Sequence, residues 1–153
     1  MLPAAVQSYP LIVPDLLIAT DSPAVFDEVS SALDEPGTTL RWARSGRAVL
    51  PALAERNADL VVSDLQIGSM GGYAIAMQLA LEAAAGRLDA PVPVLLLLDR
   101  RADAFLAKRT GVAGWVLNPL DPLRTRAAVE ALLAGGGYDD PTLMPSPADV
   151  LPV

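Results

Sequence analysis

A chain of 153 residues is long enough for one domain with a substantial core and too short for two. It contains no Cys and no His, which removes disulfides, thiolate nucleophiles, the usual zinc ligands, a phosphohistidine carrier and the imidazole base of hydrolytic triads. The net charge of −7 argues against nucleic acid, whose phosphates must be neutralised by Lys and Arg.

With 52% hydrophobic and 19% charged residues the composition is globular rather than disordered. The longest strictly aliphatic stretch, Val94 to Leu98, is far too short to span a bilayer. The first basic residue is Arg41, so the start lacks the positive region of a secretory signal. These features predict a cytoplasmic protein with no direct membrane insertion. Charge is unevenly placed: residues 1–97 hold 5 basic and 11 acidic residues, and residues 98–134 hold 6 and 4. The second of these segments is the only basic-leaning part of the chain.

Three prolines in residues 1–14 predict an N-terminal arm. The apolar run from Asp15 to Thr20 predicts a buried first strand, and Ser22-Pro23 an N-cap with Pro at the first helical position. The first helix then runs to about Asp34, where Pro36-Gly37 stops it. Thr38 to Ala43 reads as a short second strand. Ser45 opens a second helix that Pro51 should kink or shorten. Leu60 to Asp64 is the third strand, and a Gly-rich loop leads to a helix from Gly72 to about Ala85, capped by Gly86.

Val92 to Leu98 is apolar throughout, as a central parallel strand covered on both faces should be. A fourth helix follows from about Arg100 to Thr110, then a fifth strand from Ala113 to Leu117. Asp121-Pro122 caps a fifth helix that ends near Ala134. Residues 135–153 form a Gly/Pro-rich tail, too short to fold alone and so flexible or docked. Fivefold alternation of strand and helix predicts a three-layer α/β domain over residues 15–134. Its core would be an open parallel five-stranded sheet with helices on both sides. In such sheets the site lies at the carboxyl ends of the strands. The residues there are Thr20-Asp21, Asp64, Leu98-Asp99 and Asn118-Pro119.

Those four strand ends, in order and at the right spacing, resemble the receiver domains of response regulators over residues 15–134. The segments that carry the likeness are Leu17 to Pro23, Asp59 to Asp64, Pro93 to Leu98 and Gly111 to Pro119. The resemblance implies a flavodoxin-like receiver fold with Mg²⁺ held by a pair of acids after the first strand. It also implies a phosphoacceptor Asp after the third strand, a Ser or Thr after the fourth, and Lys-Pro after the fifth. Asp64 matches the phosphoacceptor, and Asp21 is the one acid kept after the first strand. Thr20, Leu98 and Asn118 depart from the pattern at the first acid, the hydroxyl and the Lys.

These departures predict a weakened or lost cation site at Asp21 and Asp64, no tightly held cofactor, and loss of the usual switch. Trp115 occupies the aromatic position of the fifth strand. If exposed, it would form an interface with Arg100, Arg101, Lys108, Arg109, Arg124 and Arg126, since Trp and Arg are typical anchors. The bland alternatives are a solvated loop acid at Asp64, an acid at a helix N-terminus at Asp21, and a Trp that merely covers the sheet edge.

Three functions fit. One is a non-catalytic pseudo-receiver acting through a protein partner. Another is a stand-alone response regulator phosphorylated on Asp64 by a sensor kinase. A third is a nucleotide- or flavin-binding enzyme on the same sheet, although Gly68 to Gly72 fits neither a dinucleotide fingerprint nor a P-loop, and Ser69 has no His to serve as its base. The first is the preferred expectation. The Ala/Arg-rich composition is similar to that of actinobacterial stand-alone receivers, mycobacterial ones included. That likeness implies an accessory role on a respiratory type I NADH dehydrogenase.

Overall fold

The computed structural model describes residues 13–143 other than Ser69, with Leu143 described in its backbone alone. Most of the predicted N-terminal arm, the end of the tail and Ser69 therefore lie outside the described residues. Strands β1 (Asp15–Ala19), β2 (Thr39–Ala43), β3 (Leu60–Asp64), β4 (Val94–Leu98), β5 (Gly114–Leu117) and β6 (Tyr138–Asp139) form one parallel sheet in the order β2-β1-β3-β4-β5-β6. Helices α1 (Pro23–Leu33), α2 (Val49–Glu55), α3 (Gly72–Ala84), α4 (Asp103–Thr110) and α5 (Pro122–Leu133) alternate with them. Among the described residues no helix is long and apolar enough to cross a membrane.

Alternating side chains on the inner strands feed two cores. Leu17, Val61, Leu96, Leu98 and Trp115 pack toward α2, α3 and α4, while Leu16, Ile18, Val62, Leu95, Leu97 and Val116 pack toward α1 and α5. The β4 strand is buried along its whole length, as its unbroken apolar run requires. The helix starts follow the sequence closely at two places. The Ser22 hydroxyl accepts from the Val25 amide at 3.3 Å, and one Asp121 carboxylate oxygen accepts from the Leu123 and Arg124 amides at 2.8 and 3.0 Å.

Three expectations are corrected. The second helix begins not at Ser45 but at Val49, after a single 3₁₀ turn over Gly46–Ala48. Pro51 then falls in the first helical turn, where its missing N–H has no intrahelical partner to lose. The fourth helix begins at Asp103 rather than Arg100, because residues 100–102 turn first and Asp103 lies in the opening turn. The sheet has a sixth strand beyond the five expected. Tyr138–Asp139 pairs in parallel with β5, with Gly114 opposite Tyr138 and Trp115 opposite Asp139.

One glycine sets the spacing between the sheet and the site-bearing loop. A Cβ on Gly72 would lie 2.7 Å from Leu96 Cδ2 and 2.9 Å from the Asp64 carbonyl oxygen. Gly72→Ala is expected to lower stability by about 1–3 kcal/mol through overpacking, read as a lower urea midpoint at unchanged slope. A midpoint equal to wild type would mean that α3 can move away at no cost.

Candidate functional site: the carboxyl ends of the strands

The register of the sheet decides which side chains meet. Ala19 pairs with Ser63 and Asp64 with Leu97, so the residues that follow β1 and end β4 flank the end of β3. Thr20 is fully buried, and its hydroxyl donates to Asp64 Oδ2 at 3.3 Å. The same hydroxyl oxygen accepts from the Ser22 amide at 3.1 Å, and the Thr20 carbonyl accepts from the Trp42 indole at 2.8 Å. Trp42 in turn stacks on Phe26, with centroids 4.4 Å apart, and carries the Arg44 guanidinium 4.2 Å from its ring centre. The residue in place of the first acid is thus a hydrogen-bonded link between Asp64 and an aromatic stack beside β1.

Asp64 is partly buried, and its carboxyl titrates above the ordinary 3.8. Desolvation is the main cause, with the negative charges of Asp99 and Asp21 adding to it. The Gln66 amide and the Thr20 hydroxyl act in the opposite direction. Asp21 is exposed and accepts from the Gly68 amide at 3.2 Å. Asp99 is a member of this acidic pocket that the family pattern did not single out. Its position directly after the fourth strand is the signal that marks it.

The remaining departures lead away from Asp64. Leu98 is fully buried in the core beside Trp115, so the end of β4 presents no donor to the pocket. The Asn118 side-chain amide donates to Asp99 Oδ1 at 2.6 Å. A cis peptide bond joins Asn118 to Pro119. In the glycine loop the Gly72 amide donates to the Leu65 carbonyl at 3.0 Å and Gly68 to Asp21, so both amides are used within the fold.

Among the described residues no three Asp, Glu, His or Cys side chains converge as a metal cage. Mg²⁺ needs less: one or two carboxylates with water completing its shell. Asp21 and Asp64 meet that minimum, and a cation there would relieve the repulsion that Asp99 and Asp21 add to the desolvation of Asp64. The donor set therefore fits Mg²⁺, with Thr20 contributing a hydroxyl where a carboxylate would add charge.

The interface expected around Trp115 is not assembled as one exposed patch. Trp115 is only 4% exposed and belongs to the core on the α4 side, so it cannot serve as a surface anchor. Arg100 pairs with Asp103 at 3.2 Å, and Arg101 donates to the Thr142 carbonyl at 3.1 Å. Arg124 pairs with Asp140 at 3.1 Å. Arg126 points the other way along α5, donating to the Ala32 carbonyl of α1 and pairing with Glu35. Lys108 and Arg109 are exposed on α4, beside an exposed Phe105.

The doubly wound parallel sheet fixes the fold, and comparison with known proteins fixes the class. Residues 16–130 match the family described as the response regulator receiver domain, and the chain belongs to that family. It is 24% identical to the protein PilH of Pseudomonas aeruginosa over 120 residues, which cover 78% of this chain and 98% of PilH. It is 28% identical over 137 residues to the DNA-binding response regulator MtrA of Mycolicibacterium smegmatis, covering 88% of this chain but only 57% of MtrA. The chain thus spans about half the length of that relative. A solved receiver domain of a signal transduction histidine kinase from Syntrophus aciditrophicus superposes with a TM-score of 0.69 at 26% identity, covering 80% of this chain and 91% of that one. The flavodoxin-like receiver fold is shared, and the family's members are regulatory modules of two-component signalling that bind Mg²⁺ at the phosphorylation site.

The raised titration of Asp64 has a sign that can be checked. A carboxyl whose folded pKa lies above its unfolded value costs stability in full above the raised value, and the cost fades as pH falls through that raised value and is gone below the ordinary one. Asp64→Asn keeps an acceptor for Thr20 while removing the charge. Without added Mg²⁺ it is expected to raise the melting temperature at pH 7 by roughly 1–4 °C, with the gain shrinking on acidification. A lower melting temperature at pH 7 would show that the charge is held favourably.

Proposed function

We propose that this chain acts as a signalling receiver that accepts a phosphoryl group on Asp64 and passes the change through Thr20 and Trp42 rather than through β4 and β5. The observation that carries the proposal is the Asp64 carboxylate at the end of β3, partly open to solvent and hydrogen-bonded by Thr20. Asp21 and Asp64 would hold Mg²⁺, which when bound supplies charge neutralisation for the incoming phosphoryl oxygens.

The carboxylate attacks phosphorus in line. An acyl phosphate bond forms at Asp64 while the bond from phosphorus to the donor's nitrogen or oxygen breaks, its electron pair leaving with the donor. A sensor kinase is the donor that the family implies. Deprotonated Asp64 is the reactive form, and the pocket's other charges favour its reaction only when they are balanced by a cation.

Once the phosphoryl group is in place, the response departs from the family pattern because two contacts are replaced. Leu98 offers no hydroxyl to the phosphoryl group, and Asn118 offers a neutral amide where a Lys would offer a cation. Its amide is engaged by Asp99 in the unphosphorylated form. The Thr20 hydroxyl, by contrast, already touches the reacting carboxylate, and its backbone carbonyl holds the Trp42 indole. A phosphoryl group on Asp64 breaks the Thr20 contact and is felt first on the β1–β2 side.

The interaction-module reading survives inside this one, as the route by which a receiver delivers its output to a protein partner. The association with a type I NADH dehydrogenase finds no support in the geometry or among the signalling proteins that the chain resembles, and we do not propose it.

Incubation with acetyl phosphate and Mg²⁺ is expected to add the mass of one phosphoryl group to the intact protein. Asp64→Asn should abolish the gain. Thr20→Asp restores the second acid and should lower the Mg²⁺ concentration needed by roughly tenfold. Wild type and Thr20→Asp that both stay unmodified would overturn the proposal.

A further inference from the structure

The segment that follows α5 is held to the edge of the sheet by one side chain. The Asp140 carboxylate is buried to 1% exposure although it lies just beyond a two-residue strand. Its Oδ2 accepts from the Leu117 amide at 2.8 Å, so the side chain takes the place that the next ladder carbonyl would fill along β5. Its Oδ1 accepts from Arg124 at 3.1 Å, from the Thr142 amide at 2.9 Å and from the Thr142 hydroxyl at 2.7 Å. Arg101, at the turn before α4, closes the far end by donating to the Thr142 carbonyl.

Elsewhere the attachment is thin. Only Gly114–Tyr138 and Trp115–Asp139 are paired, and Gly135, Gly136 and Gly137 join the segment to α5. Two of the glycines at this junction permit the close approach. A Cβ on Gly114 would lie 2.7 Å from the Tyr138 carbonyl oxygen, and one on Gly137 would lie 3.0 Å from that of Ala113.

We infer that the edge of β5, with the Leu117 amide and the Arg124 guanidinium beyond it, is a binding groove for an extended acidic segment, and that residues 138–142 are its occupant in cis. The groove has the two parts that recognition of a strand requires. The sheet edge reads backbone, and a carboxylate pocket lies one residue past the paired positions. An aspartate fits that pocket because Arg124 and an otherwise unpaired ladder amide both donate to it. The trans ligand is therefore a strand of another protein that places an aspartate after two paired residues. The glycine tether lets the cis segment lift without disturbing α5, and a short edge pair is where local opening is expected. While seated, the tether keeps the segment at a high effective concentration, so a free ligand competes poorly.

The test uses a fluorescein-labelled peptide with the sequence of residues 135–143, titrated into the full chain. Wild type should bind it weakly. Asp140→Ala, which loosens the cis segment, should bind on the order of a hundredfold more tightly, and adding Arg124→Ala should reverse the gain. Equal binding to all three proteins would overturn the inference. So would a dimer of Asp140→Ala that excludes the peptide, because the groove would then belong to a second copy of this chain.

Hydrogen exchange of the wild-type protein covers the case in which Asp140→Ala fails to fold. The Leu117 and Tyr138 amides should exchange together and at least roughly tenfold faster than the Leu96 amide of β4. Equal protection of all three would mean that the segment is a fixed part of the sheet.

Discussion

Everything at the site depends on the pairing of β3 with β1 and β4. The β3 strand lies between them with both faces covered by apolar packing, so its chemistry is confined to its carboxyl end. The in-register pairing of Ala19 with Ser63 and of Asp64 with Leu97 brings Thr20 and Leu98 to the flanks of the phosphoacceptor position. A slip of one residue would send each β3 side chain to the opposite face and move Asp64 out of line with Thr20 and Leu98. The two cores make that slip costly, because Val61 on one side and Leu60 and Val62 on the other would each lose their packing.

Given that register, the substitutions at the strand ends act as a redirection of contacts. Thr20 and Leu98 flank the same carboxylate, but one is a donor and the other is inert. Asn118 is drawn to Asp99, which removes the remaining donor from the β5 side of the pocket. The side-chain donor to Asp64 therefore lies on the side of β1, with the Gln66 amide of its own loop as the other contact. Behind Thr20 lies a stack of Phe26, Trp42 and Arg44, whose indole hydrogen bond ties it to the same residue that touches Asp64. Asymmetry of contact, rather than loss of chemistry, distinguishes this pocket from the family pattern.

Much of this was legible in the sequence for physical reasons. The unbroken apolar run of β4, the Ser22 and Asp121 caps and the four strand ends are local signals, and each appears in the structure near its expected place. The strand ends placed Asp64 and Asp21 at one edge, because parallel strands gather their carboxyl termini there. The parts that were not legible are those set by partners distant in sequence. Nothing local shows that Thr20 reaches Asp64, that Asn118 turns to Asp99, or that Trp42 bonds to the Thr20 carbonyl. Trp115 looked like an anchor because its neighbours in sequence are basic, yet strand alternation sends it into the core with Leu96 and Leu98. The sixth strand was hidden for a related reason. Two residues after a glycine run carry no period, and they are held by a buried aspartate whose partners are 16 and 23 residues away.

The two tryptophans lie on opposite sides of the pocket and make the claim of a one-sided response directly measurable. Trp42 and Trp115 each give one indole N–H resonance, and assignment needs only a Trp115→Phe variant. The measurement is a ¹H–¹⁵N spectrum of the protein recorded before and after saturation with Mg²⁺ and beryllofluoride, which mimics the phosphoryl group on Asp64. Signalling through Thr20 predicts that the Trp42 indole resonance moves as the Thr20 contact is lost, while that of Trp115 keeps its position. Movement of Trp115 with Trp42 unchanged would contradict it, since the signal would then leave Asp64 through β4 and β5 after all.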